Sequence, residues 1–210
     1  MIPVKVLTVR YLANADPRLC EALGAPAGHP TLGMLTTDCD DATYIALDAA
    51  TKAAQVEVAY GRSFYGGAAN ASTPNAGEVL GILAGATPGA VRSGMEAALA
   101  VLENLGFEDR CGVPCLAHTV SSVGTFLAKE AGILPGQALA YLIAPPLEGM
   151  YALDAALKVA DVKLCKLYAP PTETNFGGAL LTGTQSACNA ACHAFTAAVA
   201  EVAYKPMDKL

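Results

Sequence analysis

Three carboxylates, Asp38, Asp40 and Asp41, crowd between the apolar run Leu32 to Thr37 and an alanine-rich stretch. Acids so placed either cap a turn or helix start, where their oxygens take up free backbone N–H groups, or face a cavity and accept hydrogen bonds from a small cationic or polar solute. Glu78, which opens a later apolar run behind a glycine-rich loop, can join them. The seven cysteines are the second reactive set. Cys188 and Cys192 at i, i+4 bring two sulfurs to one helix face, with His193 adjacent but pointing elsewhere. Cys111 and Cys115, also four apart, have His118 nearby, so a tetrahedral metal or iron–sulfur site can be drawn from them. Neither pair has the C-x-x-C spacing of structural zinc sites, and for Cys188 and Cys192 the alanine-rich surroundings make core packing the ordinary reading.

Other chemistries lack parts. No G-x-S-x-G elbow is present, and His29, His118 and His193 do not support a triad. The segment Gly85-Ala-Thr-Pro-Gly-Ala90 resembles a phosphate loop only in its glycines, because the lysine is missing, and a plain helix cap explains it. No catalysis and no cofactor are expected.

Positioning the acids requires elements, and a repeat reveals them. Shifted by about 106 positions, Ile45-Ala-Leu-Asp-Ala-Ala-Thr-Lys-Ala-Ala-Gln-Val56 falls on Tyr151-Ala-Leu-Asp-Ala-Ala-Leu-Lys-Val-Ala-Asp-Val162. At a slightly different offset, Ala84-Gly-Ala-Thr-Pro-Gly-Ala-Val91 and Thr182-Gly-Thr-Gln-Ser-Ala-Cys-Asn189 each precede an alanine-rich helix. Two long copies make a tandem globular pair, not a solenoid. The expected domains are 1–105 and 106–210. Periodicity predicts helices over Ala46 to Ala54 and Ala152 to Ala160, followed by strands Val56 to Tyr60 and Val162 to Tyr168. Strands Glu78 to Ala84 and Gly178 to Thr182 then lead into helices Pro88 to Glu103 and Gln185 to Tyr204. Thr87 and Pro88 supply a cap and a first-turn proline. Strands Thr31 to Thr37 and Gln137 to Ala144 come first, so each copy reads strand, helix, strand, strand, helix: an α/β, more exactly α+β, sandwich. The stretch Gly61 to Gly77 is long for a loop in a compact domain, which suggests an interface or a tightly lined opening.

Composition narrows the partners. Hydrophobic residues make up 53% and charged residues 15%, against about 25% charged in an ordinary soluble domain. That leaves apolar surface for neighbouring subunits to cover, so an oligomer is expected. Net charge is −6 with basic residues scattered, which argues against nucleic acid and an anionic membrane as partners. No apolar run approaches the ~20 residues of a spanning helix and the first residues form no signal sequence. A cytosolic protein with reduced thiols is expected.

Several blocks together carry a family resemblance: Leu32-Gly-Met-Leu-Thr-Thr-Asp-Cys-Asp-Asp-Ala-Thr-Tyr44, Glu57-Val-Ala-Tyr-Gly-Arg-Ser63, Ala140-Tyr-Leu-Ile-Ala-Pro-Pro-Leu-Glu148 and Thr172-Glu-Thr-Asn-Phe176. In these the chain resembles bacterial microcompartment shell proteins of the ethanolamine-utilisation L type, from about Val6 to Ala203. The resemblance implies two circularly permuted microcompartment domains in tandem, a homotrimer that mimics a hexagon and tiles with other shell proteins, and a gated central pore for small polar metabolites such as ethanolamine. It implies a ligand site at Asp40 and Glu78, with Asp41 beside them, and places Phe107 and Thr182 at the pore. It implies location in a microcompartment within the cytoplasm. The segment Gly106 to Leu116, read as the pore loop, departs from the family in being shorter and in carrying Cys111 and Cys115. These thiols sustain one rival reading, a shell subunit that holds a metal or iron–sulfur centre for electron transfer.

Overall fold

The apolar runs that mark strands in the sequence become the inner strands of two sheets, in a computed structural model that describes residues 1–64, 73–170 and 172–207. The chain divides into two units, one formed by Pro3–Gly106 with Gly124–Leu127, the other by Met1–Ile2, Phe107–Val123 and Ala128–Leu210.

In the first unit β2 (Val6–Leu12), β3 (Thr31–Thr37), β4 (Val56–Ser63) and β5 (Val79–Gly85) form a sheet in the order β2-β3-β5-β4. All its ladders are antiparallel. Strand β5 is almost wholly apolar because it lies inside the sheet and both its faces are covered. Helices α2 (Asp40–Ala53) and α3 (Pro88–Leu102) cover one face. On the other, Leu32, Ile82 and Ala84 pack with Ala15 and with Cys20 and Leu23, which belong to α1 (Pro17–Ala22) and the turn after it. Helix α2 carries the chain from β3 to the edge strand β4 across the intervening β5, a split β-α-β arrangement.

The second unit repeats this plan. Strands β7 (Val113–Val120), β8 (Ala138–Ala144), β9 (Val162–Tyr168) and β10 (Gly177–Gly183) are ordered β7-β8-β10-β9, extended beyond β7 by β6 (Gly106–Arg110) and β1 (Ile2–Pro3). Helices α4 (Thr125–Ala131), α5 (Pro146–Val159) and α6 (Gln185–Tyr204) take the places of α1, α2 and α3. The core between sheet and helices is built of small side chains, Ala140, Ala152, Ala156, Ala179, Cys188 and Ala191, filled out by Leu142, Leu181 and Phe195. Equivalent elements in equivalent order make this a tandem α+β duplication.

The repeat offset changes from 106 to 98 between β4 and β5, because β9 together with the connection after it is eight residues shorter than β4 with its own. Residues 65–72, the middle of the long Gly61 to Gly77 stretch, lie outside the described residues.

Three expectations need correction. Each copy has a further strand, β2 or β7, and a short helix ahead of the predicted elements. The helices over Ala46 to Ala54 and Ala152 to Ala160 begin six residues earlier, because Asp40, Asp41 and Pro146 are already helical. The segment Gly106 to Leu116 is not a loop but a hairpin, β6 to β7, closed by Cys111 and Gly112. Both turn residues have positive φ, 58° and 87°, as a two-residue type I′ turn demands. The Asp109 carboxylate accepts the Gly112 N–H at 2.8 Å.

One buried charge shapes the first unit. Asp48 has no exposed surface, and its carboxylate accepts the N–H groups of Gly124 at 2.7 Å and Leu127 at 2.9 Å, with the Lys52 ammonium at 3.3 Å. Thr51 Oγ1 accepts the neighbouring Thr125 N–H at 3.1 Å. The approach is so close that a Cβ on Gly124 would stand 2.2 Å from Thr51 Oγ1.

Candidate ligand site

The end of β3, the end of β4 and the start of β5 meet at one end of the first sheet. Registers pair Thr37 with Val79 and Ser63 with Val79 across the two ladders. Backbone bonds extend the junction, Glu78 N–H to Thr37 O at 2.7 Å and Phe64 N–H to Glu78 O at 2.8 Å. The turn out of β3 is locked by buried threonines: Thr37 Oγ1 accepts the Cys39 N–H at 3.1 Å and lies 2.7 Å from Thr43 Oγ1. That turn delivers Asp40 and Asp41 into the first turn of α2, where the free N–H groups of a helix start favour negative charge. The N-cap itself is Cys39, which makes no side-chain cap bond. Asp38, by contrast, accepts the Lys5 N–H at 2.7 Å.

Asp40 and Asp41 are both buried, each 7% exposed. Burial pushes Asp40 above the ordinary carboxylate range, while hydrogen bonds from Ser63, the Asp41 N–H and Glu78 offset part of that rise. The Asp41 N–H bond to Asp40 Oδ1 is 2.8 Å. Burial, then the negative charges of Asp41, Asp40 and Glu78, push the Cys39 thiol far up as well. The expected partners Asp40 and Glu78 are therefore brought together, with Asp41 next to them. Two residues join that no motif singled out. Ser63 bonds Asp40, and the Tyr44 hydroxyl lies 3.0 Å from Ser63 Oγ. Their signal was faint: Tyr44 stands one helical turn after Asp40, and Ser63 ends a strand whose register sets it opposite Val79, next in sequence to Glu78.

The second copy holds nothing comparable at the equivalent positions. Asp40, Tyr44, Ser63 and Glu78 correspond to Pro146, Met150, Ala169 and Phe176. Phe176 instead meets Phe107 edge to face, ring centres 5.3 Å apart. Phe107 lies on β6 and Thr182 on β10, where the Thr182 hydroxyl donates to Ala138 O at 2.7 Å. The structure thus places these two in the second unit and the acids in the first.

Neither cysteine pair belongs to a metal-ligating cluster among the described residues. Cys111 is exposed at its turn while Cys115 is buried, and Cys188 and Cys192 are core residues. Burial pushes the Cys115 and Cys192 thiols up to about 11, which keeps them protonated and poor as thiolate ligands. Among the described residues no three His, Cys, Asp or Glu side chains gather to hold a metal ion.

Comparison with known proteins places this geometry. The BMC domain family model matches residues 31–109, from β3 into β6. The bacterial microcompartment shell protein EutL of Clostridium perfringens is 55% identical to the chain, across 99% of this chain and 97% of the relative. The protein of the same description from Escherichia coli strain K12 is 47% identical across 100% and 97%. Among solved structures, the ethanolamine utilization protein EutL from Leptotrichia buccalis superposes with a TM-score of 0.96 at 57% identity, covering 99% of this chain and 98% of that one. The trimeric shell protein PduB, at 20% identity and a TM-score of 0.81 over 95% and 89%, has the same fold.

Proposed function

The chain belongs to the EutL-type bacterial microcompartment shell proteins, and from that premise we propose that it forms a trimeric shell tile with a ligand-controlled central opening for small polar metabolites. Its role is structural: it is a shell component, not an enzyme. Three-fold closure of a two-copy chain gives six similar units around one axis, and any segment brought to that axis recurs three times there. Phe107 and Thr182 belong to this proposal as lining residues of the opening.

The observation that carries the reading is the pair formed by the buried Asp40 carboxyl and the half-buried Glu78 carboxyl, with the Ser63 hydroxyl also bonded to Asp40. A primary ammonium alcohol such as ethanolamine brings three charged N–H donors and one hydroxyl, and acceptor carboxylates are the side chains that match it. Because the acids occur in the first copy alone, each trimer would carry three such sites. A ligand that binds them only when the opening is closed shifts the population toward closure.

Calorimetric titration with ethanolamine and with ethylene glycol, its uncharged analogue, tests the site. Ethanolamine is expected to bind and the diol not to, and Asp40→Asn or Glu78→Gln to weaken ethanolamine at least about tenfold, as loss of a charged hydrogen bond implies. Equal binding of the two solutes, or variants that bind like the parent, would remove the assignment.

A further inference from the structure

Ser63 Oγ touches two oxygens, the Tyr44 phenol at 3.0 Å and the carboxyl of Asp40. A serine hydroxyl has one proton, and an ionised carboxylate only accepts. When Asp40 is ionised Ser63 therefore donates to it, and the contact then left to the Ser63 oxygen is acceptance from the Tyr44 O–H. We propose that Tyr44 and Ser63 form a one-way hydroxyl relay that keeps Asp40 a hydrogen-bond acceptor, which makes Tyr44 a positioning residue for the ligand site.

Both ends of the relay are held. The Tyr44 ring packs against Phe126 with centres 6.0 Å apart, and Phe126 sits in the Gly124–Leu127 segment whose N–H groups Asp48 secures. A Cβ at Gly61 would touch the Phe126 and Tyr44 rings at 3.4 and 3.6 Å, so β4 runs close beneath both. Ser63, two residues on in β4, is set by its ladder to β5. Two packed aromatic rings and one strand register thus aim a phenol at a serine. The relay opposes the electrostatics around it. Burial pushes the Asp40 carboxyl toward its neutral form, while the Ser63 and Glu78 side chains both bond its ionised form. Arg62, the neighbouring cation on β4, is exposed and alternates to the other face of the strand.

The effect on ligand binding rests on the reading of Asp40 and Glu78 as the ligand site, but the relay itself can be read without ligand. In the full-length protein carrying carboxyl-labelled aspartate, the Asp40 signal, assigned with Asp40→Asn, is followed by NMR against pH. Tyr44→Phe keeps the ring against Phe126 and removes only the hydroxyl. It is expected to move the Asp40 midpoint to higher pH, Ser63→Ala to move it further, and the double variant to match Ser63→Ala alone, since a chain of two bonds fails at its last link. An unmoved midpoint in Tyr44→Phe, or additive shifts, would overturn the relay. With ethanolamine as the probe, Tyr44→Phe is expected to weaken binding about fivefold, the effect of one lost neutral hydrogen bond, and to lose it at a higher pH than the parent. If the parent binds no ethanolamine, the ligand reading fails while the titration still decides the relay. If ethanolamine binds equally to parent and Tyr44→Phe at every pH, the relay is wrong and the ligand site stands.

Discussion

Asp40 carries two opposed demands, because a carboxylate suited to an ammonium group must be ionised, and burial at the start of α2 penalises ionisation. The folded chain holds the Asp40 proton more tightly than the unfolded chain does. Its contribution to stability is therefore complete in acid and is lost as pH rises from the ordinary carboxylate value through the raised one. Asn has no proton to lose and can still accept from Ser63. Asp40→Asn should accordingly melt higher than the parent near neutral pH, with the gap closing in acid, while losing ligand; thermal scans across pH check this, and a variant that melts lower at neutrality would refute the burial argument. A second pair shows how little residue type decides alone. Asp48 and Asp154 occupy the same place in the repeated Leu-Asp-Ala-Ala, and each has a lysine four residues on. Asp48 is sealed inside and holds two backbone N–H groups, whereas Asp154 is exposed and pairs with Lys158 at 2.6 Å. Urea unfolding should show Asp48→Ala losing about 3 kcal/mol, the cost of stranding buried partners, and Asp154→Ala changing by less than about 0.5 kcal/mol.

Among the elements, the helices that follow β5 and β10 were legible because their starts are written in local chemistry. Thr87 Oγ1 accepts the Ala90 N–H, and Thr184 Oγ1 the Ala187 N–H, each at 3.2 Å. Thr87→Ala and Thr184→Ala should each cost about 1 kcal/mol in the same unfolding measurement. The helices that follow β3 and β8 begin without a side-chain cap, at Cys39 and Pro145, and their first turns were accordingly missed. Strand β7 was missed for a different reason. Pro114, Cys115 and His118 in Val113–Val120 look like turn and ligand residues in sequence, and a proline demotes a run as a strand. Pairing with β8 on one side and with β6 on the other overrides that weak local signal. The turn that joins β6 to β7 still shows the strain of an unsuited residue. Cys111 at φ 58° bears the left-handed conformation that asparagine tolerates better. Cys111→Asn is expected to stabilise the protein by up to about 1 kcal/mol, and a drop in stability would contradict the turn assignment.

At the scale of the whole molecule, the low charge content leaves Leu134, Leu147, Tyr151 and Tyr204 exposed on the single chain, as apolar surface awaiting a neighbour would be. Light scattering of the purified protein should give the mass of three 21.4 kDa chains. The trimer should persist on dilution, and a stable monomer would remove the tile.

The sequence by itself determined the duplication, the α+β class and the family, because each of these is carried by the pattern along the chain: the 106-residue offset, the period of the helices and the order of the motif blocks; Asp40 and Glu78 were singled out from the other acids by the family resemblance. Only the tertiary structure decided what depends on neighbours remote in sequence. It set Ser63 opposite Val79 through the register of β4 on β5, and brought the Tyr44 hydroxyl to 3.0 Å from Ser63 Oγ. It also buried one Leu-Asp-Ala-Ala aspartate and exposed the other. Identical local sequence means identical propensity, but the energy of a charge depends on the water and the N–H groups around it, and those are assigned by the fold.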